Sequence, residues 1–184
     1  MTPRAAALLM VLSLNAGAAD APPATAGKPL ATIAALDVPR YMGTWYEIAK
    51  FPNQFQKKCG GFTNAHYSAL ADGTLRVVNR CRNARGGTEE AIGAARQVGG
   101  PRSPKLTVRF APAYLSFLPM VWGDYWVVDL DSGYQLAAVS EPTREYLWIL
   151  ARSPKVDKAS YDALVARLAG QGLDVGKLVL TRQE

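Results

Sequence analysis

From residue 43 to residue 151 the chain reads as eight short β-rich runs separated by turn chemistry, and this succession restricts the fold more than any single motif does. The runs are 43–51, 62–70, 74–82, 88–98, 105–110, 125–130, 134–140 and 146–151. Pro52, Asp72-Gly73, Gly86-Gly87, Gly99-Gly100-Pro101, Ser132-Gly133 and Pro142 punctuate them, and Asp-Gly between two β-rich runs is a strong hairpin signal. Strands joined by tight connections pair antiparallel, and a meander this long escapes exposed edges by closing on itself. A helix follows only after the last run. Asp157 caps it, Tyr161, Leu164, Val165 and Leu168 fall at i, i+3, i+4 and i+7, and Gly170 and Gly172 stop it. A final short strand is expected at 178–180. The expected fold class is all-β: an eight-stranded up-and-down antiparallel β-barrel with one C-terminal α-helix packed outside.

The pleat assigns faces. Arg76, Arg80 and Arg82 share one side of their strand and would not be desolvated together, so Leu75, Val77 and Asn79 face inward. In the run 105–110, Lys105, Thr107 and Arg109 point out, while Leu106, Val108 and Phe110 point in. Ala91, Gly93 and Ala95 form a small-residue inner face that leaves empty volume, and an eight-stranded barrel with such a face suits one small ligand. The apolar stretch 111–122, broken by Pro112 and Pro119, reads as a lid near an opening or as a buried connection.

With 184 residues, 49% of them hydrophobic, the chain suits one globular domain. A net charge of +6 reads as a solvating surface rather than a nucleic-acid footprint. The start, Met1 to Arg4, then an apolar run to Leu14 and the small residues Ala16-Gly17-Ala18-Ala19, reads as a secretory signal peptide. The expected organisation is a signal peptide over 1–19, a flexible linker over 20–35 and the folded domain over 36–184. The mature protein is expected to be exported, periplasmic or secreted, without a transmembrane helix. Two cysteines in an exported chain, Cys59 and Cys81, make a disulfide the default, and a metal pair the alternative. The bridge would contribute roughly 3 kcal/mol by restricting the unfolded chain. No cofactor or metal is expected.

Three features carry a family resemblance: Gly43-Thr44-Trp45 continued as Tyr46-Glu47-Ile48, Asp129-Leu130-Asp131 ahead of Tyr134, and Arg152. From residue 36 onward the chain resembles the lipocalins, and more narrowly the bacterial lipocalins that are similar to apolipoprotein D. Two features depart from that pattern: Asp-Leu-Asp stands where the family commonly has Thr-Asp-Tyr, and no lipoprotein cysteine follows the signal, so no lipid anchor is expected. The resemblance implies that Gly43, Trp45 and Arg152 are structural, with the Arg152 guanidinium over the Trp45 indole at the barrel floor. It also implies a small hydrophobic ligand, a fatty acid or lysophospholipid, carried or stored for membrane lipid maintenance. It brings Tyr67 into the pocket as well.

With Trp45 pointing inward, Glu47 and Ala49 share its side. Glu47 then serves either a polar network at the floor or the ligand. Trp148 shares its parity with Arg152 and belongs to the inner set. The expected ligand-binding residues are therefore Tyr67, Asn79, Trp148, Val77, Val108, Phe110 and Glu47. Peripheral membrane contact is expected, by a monomer or homodimer. Catalytic machinery is not evident: the single histidine, His66, is expected on the surface opposite Tyr67, and no Gly-x-Ser-x-Gly elbow or phosphate-cradling loop occurs. The alternative is a lipocalin-type enzyme acting on a hydrophobic ligand. A nucleic-acid role for Lys57, Lys58, Arg76, Arg80, Arg82 and Arg85 is set aside because export removes the chain from nucleic acid.

Overall fold

A computed structural model describes residues 28–183; the expected signal peptide, and the linker as far as residue 27, lie outside the described residues. Eight strands run in order: β1 (Gly43–Lys50), β2 (Cys59–Ala69), β3 (Leu75–Asn83), β4 (Thr88–Gln97), β5 (Lys105–Arg109), β6 (Gly123–Leu130), β7 (Leu136–Ser140) and β8 (Leu147–Ala151). Each pairs antiparallel with the next, and β1 pairs with both β2 and β8, so the barrel closes. The short β9 (Val179–Leu180) joins β1 outside this ring. Among the described residues, no helix is long and apolar enough to cross a membrane.

Two helices flank the barrel. The first is α1 (Val38–Tyr41). Asp37 caps it by accepting from Arg40 N, and Pro39 suits a first turn, where a missing N–H is no loss. The second, α2 (Lys158–Gly170), starts at the expected cap, with Asp157 accepting from Ser160 N. Leu164 and Leu168 are fully buried against the outer wall. Asp129 and Asp131, in the segment that departs from the family pattern, both have structural work. Asp129 receives two hydrogen bonds from Arg167 of α2, at 2.7 and 2.9 Å, and Asp131 closes the β6–β7 turn by accepting from Gly133, Gln135 and Leu136 N.

The apolar residues divide into two cores. One lies inside the barrel around Trp45, Tyr67, Val77, Leu106, Val139 and Leu150; the other lies between the wall and α2, around Val128, Ala138, Leu147, Ile149, Leu164 and Leu168. Strand β7 is buried along its whole length because it faces the interior on one side and α2 on the other.

Two expectations are corrected here. Ala49 does not share the inner side with Trp45 and Glu47. The pairing with β8 slips between Glu47 and Ala49, and this bulge turns Ala49 out into the core beneath α2. Residues 28–35, read as part of a flexible linker, pack on the barrel: Leu30 is buried with the outer core and Ile33 N donates to Val127 O. The expected disulfide is present, Cys59 to Cys81, with the Cα atoms 5.5 Å apart, and it replaces the metal-pair alternative. It carries β2 back to Cys59, three residues earlier than its β-rich run suggested.

The C-terminal tail fills the seam where β1 and β2 part. Beyond β9, Thr181 N donates to Ile48 O and Phe62 N to Arg182 O. The Gln183 amide donates at 2.7 Å to both Glu47 O and Thr63 O.

Candidate functional site: a cavity inside the barrel

The interior holds a cavity of about 720 Å³, large enough for one acyl chain or a compact polycyclic molecule. Its floor is built by the first strand and the residue after the last one. Trp45 is fully buried and donates its indole N–H to Tyr41 O at 2.8 Å. The Arg152 guanidinium lies 4.0 Å from the Trp45 ring centroid and donates to the carbonyls of Arg40, Thr44 and Tyr134. Gly43 makes this possible: its φ is +93°, and a Cβ there would sit 3.4 Å from Arg152 Nη1. Glycine, tryptophan and arginine therefore close the barrel's end and none of them lines the cavity.

Above the floor three tyrosines form a chain. Tyr41 Oη and Tyr67 Oη each lie 2.9 Å from Tyr125 Oη. Burial pushes the Tyr67 hydroxyl up to about 12 and raises Tyr41 and Tyr125 as well, so all three are neutral near pH 7. Glu47, 3% exposed, is held by Gln56 Nε2, by Thr181 Oγ1 at 2.6 Å and by Lys50 Nζ at 3.0 Å. Gln56 also accepts from the Trp148 indole N–H at 3.0 Å. The expected inward carboxylate is thus committed to a network joining β1, β8 and the C-terminal tail.

All seven expected ligand-binding residues, Tyr67, Asn79, Trp148, Val77, Val108, Phe110 and Glu47, border the cavity, as does the disulfide. Their roles differ. Tyr67, Val77 and Val108 line the deeper wall. Among the described residues the Asn79 amide has no hydrogen-bond partner, and Asn79 borders the cavity, so the amide is open to a ligand. Phe110 faces inward as expected but is not part of β5 itself. It lies past the strand's end, 44% exposed, and its ring covers Gly93, where an added Cβ would come within 2.7 Å of it. That part of the small-residue face is therefore filled rather than empty. His66 is on the outer side as expected, half-buried, with Nδ1 3.0 Å from Thr44 Oγ1.

The stretch 111–122 forms two 3-10 turns at the mouth. Tyr114, Phe117 and Met120 are 75%, 76% and 85% exposed, which removes the buried-connection reading. Met120, Val121 and Trp122 border the opening, and Arg96 and Arg109 both face the Trp122 ring. Tyr125, Gln56 and Leu150 were not singled out from the sequence. Tyr125 begins a β-rich run and alternates inward with Val127, a signal that could have found it. Gln56 lies in a loop whose folding back over the wall has no periodic signature.

Comparison with known proteins agrees with this geometry. A family model described as a lipocalin-like domain matches residues 36–183. Temperature-induced lipocalin-1 of Arabidopsis thaliana is 40% identical over 162 residues, 86% of each chain. Outer membrane lipoprotein Blc of Escherichia coli K12 is 37% identical over 148 residues, 80% of this chain and 79% of its own. Apolipoprotein D of Mus musculus is 30% identical over 153 residues, 80% and 77% of the two chains. Among solved structures, insecticyanin of Manduca sexta superposes with a TM-score of 0.62 at 19% identity, over 85% of this chain and 84% of that one. With the barrel closed on Trp45 and Arg152, a cavity within it and these relatives matched along most of their length, the chain belongs to the lipocalin family.

Proposed function

We propose that the protein binds a fatty acid or a lysophospholipid in its barrel and carries or stores it outside the cytoplasm, in the service of membrane lipid maintenance. The observation that carries this reading is the cavity itself, walled by Tyr67, Val77, Val108, Trp148 and Leu150 and offering the unpartnered Asn79 amide. An acyl chain buries its methylenes against such a wall for about 0.8 kcal/mol each. The charged headgroup stays at the rim, where it keeps its water. The exposed Tyr114, Phe117 and Met120 beside the mouth suit contact with a lipid surface from which the ligand is taken. A carrier is favoured over an enzyme because His66, the one histidine, is bonded to Thr44 on the outer wall, away from the cavity. Export is supported by the leader-like start. The Escherichia coli relative is named an outer membrane lipoprotein, whereas both cysteines here are taken by the disulfide.

A fluorescent fatty-acid titration tests this. Trp148→Ala, which removes an aromatic wall, and Asn79→Leu, which removes the open amide, should each weaken binding at least about five-fold. Affinity equal to wild type in both variants, each shown to be folded, would place the ligand elsewhere.

A further inference from the structure

We infer that the inner end of the cavity selects an uncharged oxygen acceptor, because Tyr41, Tyr125 and Tyr67 form a chain with one proton more than its own hydrogen bonds consume. The inference rests on the carrier function proposed above and specifies what its deep end recognises. Each phenol brings one O–H proton. Three protons serve two contacts, Tyr41 to Tyr125 and Tyr67 to Tyr125, both 2.9 Å. Among the described residues the three hydroxyls have no other hydrogen-bond partner.

The surplus proton can be located. Tyr41 is 1% exposed, packed on Trp45 with ring centroids 4.9 Å apart, and does not border the cavity. A proton left unmade there would be an orphaned buried donor, so Tyr41 donates to Tyr125. Tyr125 then either passes its own proton to Tyr67 or accepts a second one from it. In the first case the surplus emerges at Tyr67, in the second at Tyr125, and both residues border the cavity. Either arrangement aims one neutral O–H donor at the ligand.

The nature of the acceptor follows from what surrounds the chain. The nearby cation, Arg152, is stacked on Trp45 and gives its nitrogens to three backbone carbonyls. A carboxylate brought to the floor would lose its water and gain a single donor, which is unfavourable. A ketone, ester or alcohol oxygen needs only one donor and loses little. The site thus fits an acyl ligand whose inner end is oxygenated, entering with its charged head at the mouth, over one ending in a bare methyl.

The experiment compares palmitic acid with its analogue carrying an isotope-labelled keto group one carbon from the chain end. Both displace a fluorescent fatty acid from the intact protein, and the labelled carbonyl is followed by infrared spectroscopy. The keto acid should bind roughly five-fold more tightly, the value of one added hydrogen bond. Its carbonyl band should fall below the frequency seen in hexane. Replacing the whole chain by Tyr41→Phe, Tyr67→Phe and Tyr125→Phe together removes donors and acceptors alike, keeps the shape, and should abolish both effects. Equal affinities in wild type, a band at its hexane position, or a shift that persists in the triple variant would each overturn the inference. Should the triple variant not fold, the wild-type band and affinity ratio still decide. If neither acid displaces the probe, the carrier function itself fails.

Discussion

Arg152 joins the two ends of the meander through one planar group that stacks and donates at once. Its face lies on Trp45 while its edge donates to carbonyls before β1, within β1 and before β7. Arg152→Ala should therefore lower stability by about 2–4 kcal/mol, read as a fall in melting temperature, while Arg152→Lys recovers only part of it. An unchanged melt with lost ligand binding would make Arg152 a ligand residue instead. At this scale the sequence served well wherever a side chain's facing follows its strand. Tyr67, Val77, Asn79, Val108 and Trp148 all border the cavity, as the alternation and the family resemblance implied. It failed where the backbone breaks step, at Ala49, which lies past a bulge. The bulge leaves no trace in a hydropathy pattern, because it inserts a residue without changing its type.

Among the elements, β9 and the tail beyond it have an importance out of proportion to their length. Strand β1 leaves β2 after Tyr46, and the tail occupies the resulting gap, supplying partners to Ile48 O, Phe62 N, Glu47 O and Thr63 O. Thr181 also shares the Glu47 carboxylate with Gln56 and Lys50. Ending the chain at Leu178 would strip these partners from buried groups, at about 1 kcal/mol or more for each bond lost. The expected outcome is a clearly lower melting temperature and faster hydrogen exchange at Phe62 N; a truncated chain that melts like wild type would show the seam to be self-supporting. The sequence indicated a strand at this place from its β-branched and aliphatic residues. Its docking between β1 and β2 depends on contacts across more than a hundred residues, which no local pattern encodes.

For the molecule as a whole, two stabilising terms can be separated by solution conditions. Desolvation holds Tyr41, Tyr67 and Tyr125 above the ordinary phenol value, Tyr67 at about 12. In the unfolded chain these groups ionise near pH 10, so the folded state keeps protons that the unfolded state releases. Their contribution is complete below about pH 10 and is lost progressively as pH rises above it, that of Tyr67 through about 12. Denaturation midpoints should fall steeply over that range. Ionisation of all eight tyrosines before any unfolding signal would contradict the buried chain. Reducing the bridge between Cys59 and Cys81 near neutral pH should cost roughly 3 kcal/mol and lower the melting temperature, independently of the phenols. Identical melts with and without reductant would assign the bridge no stabilising role. By itself the sequence determined the strand succession, the closed all-β class, the late capped helix and most inward-facing residues. These follow from alternation, turn chemistry and capping, all of which act over a few neighbouring residues. Only the tertiary structure decided that the leading segment packs on the wall, that Phe110 folds over Gly93, that Glu47 is tied to the tail and that three tyrosines meet above the floor. Each depends on closure of the barrel, which brings side chains distant in the chain within hydrogen-bond reach and excludes the water that would otherwise satisfy them.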